Sequence, residues 1–158
     1  MKWKDWLEKW EMNSLKLKTP FLEMNWNPVD EDIDAAWDLY IELLTRVSTQ
    51  YLPIEHGDET TALDSIFSLF ALTRDIIKDH GRKCIEFTKI AIVVLNQVIR
   101  PFTAKWHKLS LAGAFADQAR CEEFRIDLGV LQQKLRNYSR MLSEMANVED
   151  LTNLEGQA

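Results

Sequence analysis

Glycine and proline are scarce in this chain, with five Gly and four Pro in 158 residues. An all-β sandwich or barrel needs a turn every dozen residues or so, and that class is disfavoured. Positive charge is not in excess either. Lys and Arg total 19 against 25 Asp and Glu, a net charge of −6. Proteins that coat DNA draw much of their affinity from basic contacts to phosphate, so broad DNA coating is excluded while a local basic patch is not. There are only two cysteines, Cys84 and Cys121, far apart and without metal-like spacing. They read as reduced thiols of a cytoplasmic protein. The opening MKWKDWLEKW is charged throughout and has no apolar core, so no secretory signal is expected. Long hydrophobic runs are missing. The most apolar stretch, IAIVVLNQVI at 90–99, is interrupted by Asn96 and Gln97 and is too short to span a bilayer. It reads as a buried helix, and no membrane span is expected.

The common catalytic signatures are also missing. No GxxxxGKS or GxGxxG loop is present to cradle phosphate, and there is no GxSxG elbow. No Glu stands three residues before any of the three His, so a di-iron site of the bundle type has no ligands. No metal and no cofactor is expected.

What remains is a chain of 46% apolar and 28% charged residues, long enough for one domain with a real core. Residues 1–12 place Trp3, Trp6 and Trp10, with Leu7, on one face of a helix. Such a stripe either packs on the domain or serves as an interaction surface for a partner, a second copy or a membrane surface. Residues 13–27 alternate. Leu15 and Leu17 interleave with Lys16 and Lys18, and Leu22, Met24 and Trp26 interleave with Glu23 and Asn25, around Thr19-Pro20. This predicts a small β-hairpin.

Residues 28–150 read as a helical bundle. The acids of VDEDID suit a helix start. The first helix, 32–50, turns Trp37, Tyr40, Ile41, Leu44 and Val47 inward. A loop and cap at 56–59 lead to a second, 59–79, with Leu63, Ile66, Phe67, Phe70, Ile76 and Ile77 inward. A third, 82–99, buries Ile85, Phe87, Ile90, Val93, Val94 and Leu95. Pro101 predicts a break, followed by a short helix to 111 and a flexible LAGAFAD link. The last helix, 117–147, has Phe124, Leu128, Leu131, Leu135, Tyr138, Leu142 and Met145 in register. Arg46, Asp64 and Arg74 sit among apolar residues and are expected to pair as ions. The tail 151–158 is polar and is expected to fray. The fold class is therefore all-α, a bundle of about four or five helices with a small N-terminal β-hairpin.

Two short segments carry candidate chemistry. RDIIKDHG, residues 74–81, holds Arg74, Asp75 and His80; RPFTAKWH holds Arg100 and His107. This spacing of Arg and His resembles the motif of HEPN domains, helical bundles that are often RNases. The resemblance implies a metal-independent endoribonuclease, or an inactive relative, with Arg74 and His80 or Arg100 and His107 as working pairs brought together across a dimer. A His near neutral pKa moves the proton and an Arg fork holds the phosphate. Pro101 departs from the motif, which usually has a polar residue after its Arg. A plainer reading of 74–81 is a helix end, with Lys78 and His80 against the dipole and Gly81 as cap. Arg100, Lys105, Trp106, His107 and Lys108 also form the most basic short segment, a candidate site for RNA or a nucleotide. The leading expectation is a non-catalytic interaction or oligomerisation module that self-associates or binds a protein. By analogy it would be an accessory component of a prokaryotic, antiviral-type system.

Overall fold

A computed structural model describes residues 1–156. The helices run α1 Trp3–Lys9, α2 Thr19–Leu22, α3 Asp30–Leu44, α4 Glu59–His80, α5 Ile85–Val94, α6 Arg100–Leu111 and α7 Gln118–Met145. A π turn, Leu95–Ile99, joins α5 to α6, and a short 3-10 turn, Ala114–Ala116, precedes α7. α3 lies at the centre against α4, α5 and α7, while α4 packs on α6.

The helix ends follow local chemistry. Asp58 caps α4, accepting from the Thr61 N–H at 2.9 Å and its hydroxyl at 2.6 Å. Asp117 caps α7 through the Ala119 N–H at 3.0 Å. Gly81 closes α4 with φ +80°, a region open to glycine at no steric cost. The expected inward residues of α7, from Phe124 to Met145, are all buried.

The expected β-hairpin is absent, and the described residues contain no strand. Leu15 is buried and Lys16 exposed, so the alternation there is real, but it has no strand to pair with. The side-chain amide of Gln97 takes that place. Its Oε1 accepts from the Lys16 N–H and its Nε2 donates to the Lys16 carbonyl, both at 2.8 Å. Pro20 then sits in the first turn of α2, where a missing N–H costs nothing. The only ladder-like pairing among the described residues is an isolated bridge between Lys2 and Asn25.

Pro101 does not break the third helix. A proline ring clashes with the carbonyl four residues back, and the π turn relieves that by widening the preceding turn. There the Arg100 N–H bonds to the carbonyl of Leu95, five residues back. Four residues expected inside are exposed: Trp37, Ile41, Phe67 and Ile85. On α3 the buried arc is set by Ala36, Leu39, Tyr40 and Leu43, and Trp37 and Ile41 stand about 100° beyond it. Phe67 stands likewise beside buried Ile66. Of the expected buried charges, Arg46 pairs with Glu42 at 2.8 Å, whereas Asp64 and Arg74 are exposed. After α7 the chain stays on the domain: Thr152 is buried, and the Tyr40 hydroxyl accepts from the Leu151 N–H at 2.7 Å. Gln157 and Ala158 of the expected frayed tail lie outside the described residues.

One core group stands out energetically. The Tyr138 hydroxyl is buried without a partner among the described residues, and burial pushes the phenol far above its usual range. Tyr138→Phe keeps the ring and removes an unpaired polar atom, so it is expected to raise stability by about 1 kcal/mol in urea denaturation. A loss of stability would show that the hydroxyl is hydrogen-bonded.

Candidate functional site

The two motif pairs are treated differently by the fold. Arg74 and His80 share α4, but six residues rotate by about 240° beyond a full turn, so they project from different sides. Arg74 is exposed and has no hydrogen-bond or ion-pair partner among the described residues. His80 is turned to α3, where its Nε2 meets Asp38 Oδ2 at 2.6 Å. This pair joins the end of α4 to α3.

Arg100 and His107 lie two turns apart on one face of α6. Arg100 donates from Nε and Nη2 to Asn96 Oδ1, at 3.2 and 3.1 Å, and its guanidinium rests 4.7 Å from the centre of the Phe70 ring. The His107 ring meets the Phe67 ring edge-on at 4.9 Å, and Phe67 meets Phe70 at 5.7 Å. Arg100, Phe70, Phe67 and His107 thus form a continuous seam between α6 and α4. Arg74 lies one turn beyond Phe70 on α4. An anion with an aromatic group would find cations and the half-exposed Phe67 ring there.

The rest of the basic segment is divided. Lys105 bonds Asp127 Oδ2 at 2.7 Å, and that bond, with the nearby Glu123, holds its ammonium pKa above the ordinary value. Trp106 is fully buried between Phe115 and Phe124 and donates from Nε1 to the same Asp127 oxygen at 3.0 Å. Neither faces the seam. Lys108 is exposed and without a partner among the described residues.

Trp3 and Trp6 are completely buried, and Trp10 is half-buried. The Trp6 ring lies 5.3 Å from Trp3 and 4.5 Å from Trp26. The indole stripe of α1 therefore serves the core of this chain.

Exposed apolar side chains gather elsewhere, both around Trp37 and Ile41 on α3, beside a groove of about 460 Å³, and on α7. Ile126 and Val130 stand outward on α7, 69% and 57% exposed, beside Tyr51 and Ile54 of the α3–α4 loop. A groove of about 320 Å³ runs between them, floored by Gly129 and Leu128. A second groove, of about 250 Å³, lies on the other flank of Val130, against Val98 and Pro101. Arg125 holds the loop in place. Its guanidinium donates to Glu59 at 2.7 Å, to the Leu52 carbonyl at 3.2 Å and to the Pro53 carbonyl at 3.0 Å. Burial pushes the Glu59 carboxyl up, but the bonds from Arg125 and Cys121 outweigh it and hold the carboxyl below its ordinary value. The sequence does hold a signal for this surface: Ile126 and Val130 are apolar and fall outside the inward register of α7.

Both cysteines are free thiols. Among the described residues no cluster of His, Cys, Asp or Glu is placed to hold a metal ion, and no helix is long and apolar enough to cross a membrane. Comparison with family models, curated proteins and solved structures finds no match to this chain.

Proposed function

We propose that this protein is a non-catalytic helical interaction module of the cytoplasm, an accessory part of a larger assembly. The observation that carries this reading is the outward apolar surface of α7 and the 51–54 loop. Exposed aliphatic side chains in neighbouring positions, flanked by grooves, are costly in water and are stabilised by a protein partner. The engagement of His80 with Asp38 supports the same reading, because it gives the one histidine at a helix end a structural task.

A second reading is a HEPN-like RNA- or nucleotide-binding protein. It is favoured by the seam of Arg100, Phe70, Phe67 and His107, with Arg74 beside it and unpaired among the described residues. One experiment separates the two. Purified protein is incubated with RNA without metal, and its mass in solution is measured with and without RNA. The interaction reading expects intact RNA and an assembly that forms regardless of RNA. Cleavage that disappears in His80→Ala or His107→Ala, with the fold intact, would establish the RNase reading instead.

A further inference from the structure

We propose that α7 pairs with α7 of a second copy of this chain, antiparallel, about a two-fold axis beside Leu128. This rests on the interaction reading above and names its partner. The residues concerned are Glu122, Ile126, Val130 and Lys134. They are spaced by four and all exposed, so they form one ridge along the helix surface. The ridge has an acid at one end, a base at the other and two aliphatic residues between.

That order is self-complementary. About an axis at position 128, each residue i faces residue 256 − i of the other copy. Ile126 then meets Val130 of the second copy, and Glu122 meets its Lys134. The two-fold repeats both contacts, as an isologous interface requires. Neither Glu122 nor Lys134 has a hydrogen-bond or ion-pair partner among the described residues, although most other charges of this region do. Antiparallel pairing gives each of them an opposite charge, while parallel pairing does not.

The surroundings fit the same occupant. The ridge stands between two grooves, one bordered by Tyr51 and Ile54, the other by Val98 and Pro101 with Lys105 and Asp127. A ridge flanked by grooves is the shape that a second such ridge packs into. Gly129 lies beside the ridge in the middle of a 28-residue helix. Glycine weakens a helix interior relative to alanine, and within one copy nothing requires it: a Cβ there would meet no atom within 4 Å. Close approach of a second helix supplies the reason.

The test is sedimentation equilibrium or light scattering on the full chain over a range of concentrations, with circular dichroism to verify folding. Wild type is expected to show twice the chain mass. Glu122→Lys alone, or Lys134→Glu alone, places like charges together twice per dimer and is expected to weaken dimerisation by about tenfold or more. The double variant Glu122→Lys/Lys134→Glu re-forms both pairs in reverse and is expected to restore it. Ile126→Glu is expected to leave folded monomer. An assembly that ignores all these changes would overturn the α7 pairing while leaving the interaction reading in place. A wild-type monomer at every concentration would overturn the pairing; if it also cleaves RNA through His80 or His107, the interaction reading falls with it.

Discussion

Trp6→Ala is expected to destabilise the protein by about 3–5 kcal/mol, the range for removing a large aromatic from a core. The indole is completely buried and contacts the rings of Trp3 and Trp26. α1 has seven residues and α2 four, too short to persist on their own. Packing of the indoles and of buried Leu7, Met12 and Leu15, the Lys9–Glu144 ion pair at 2.6 Å and the Gln97 amide hold residues 1–26 to the bundle. Removing residues 1–12 is therefore expected to expose the core and cause aggregation. Trp6→Phe is expected to cost less than the alanine change. It retains most of the apolar surface and removes an indole N–H that has no partner among the described residues, a condition shared by Trp3, Trp10 and Trp26. Urea denaturation followed by tryptophan fluorescence measures both variants. A loss below about 1 kcal/mol for Trp6→Ala would show that this segment contributes little to the fold.

The second large effect is expected at Asp32. Its carboxylate is fully buried. Oδ2 accepts from the Val29 N–H at 2.8 Å, at the start of its own helix α3. Oδ1 accepts from the Phe87 N–H at 2.9 Å, in the first turn of α5. One side chain therefore caps two helices, and the positive ends of both dipoles surround its charge. Asp32→Ala leaves two amide donors unsatisfied, at about 1–3 kcal/mol each, so a total loss of about 3 kcal/mol is expected. Asp32→Asn keeps one acceptor oxygen but turns a donor toward the other amide, so it is expected to recover only part of that loss. Both changes are read by chemical denaturation with far-ultraviolet circular dichroism. If the alanine variant stayed within about 1 kcal/mol of wild type, water would be serving these amides and the double cap would be unimportant.

Sequence reasoning succeeded where a residue's role depends on its own helix. The inward register of α7, the cap within 56–59 and the glycine stop at Gly81 are local properties, and they hold in the folded chain. Asp32 was legible as an acid at a helix start, but its second task is not, because Phe87 lies 55 residues away. The β-hairpin expectation failed for a similar reason. Period-two alternation describes how side chains point from an extended segment, while a strand also needs a partner for its backbone. Here a glutamine from the third long helix satisfies Lys16.

The candidate site divides along the same line. Arg100 and His107 fall on one helical face by spacing alone. That Phe67 and Phe70 complete the seam, and that Lys105 and Trp106 turn away to Asp127, depends on how α4, α6 and α7 meet. The ridge on α7 was in the sequence as two apolar residues out of register, but only packing shows that nothing among the described residues covers them.

By itself, then, the sequence determined that the chain is helical, where α4 and α7 begin and end to within two residues, and which stripe of α7 faces inward. These follow from backbone pitch and capping, which act over a few residues. The tertiary structure decided that the indoles of α1 are core, that Pro101 lies within a continuous helix, and which exposed groups stand together. Those outcomes depend on which surfaces of distant segments cover one another, and that is set by the competition among all the helices for burial.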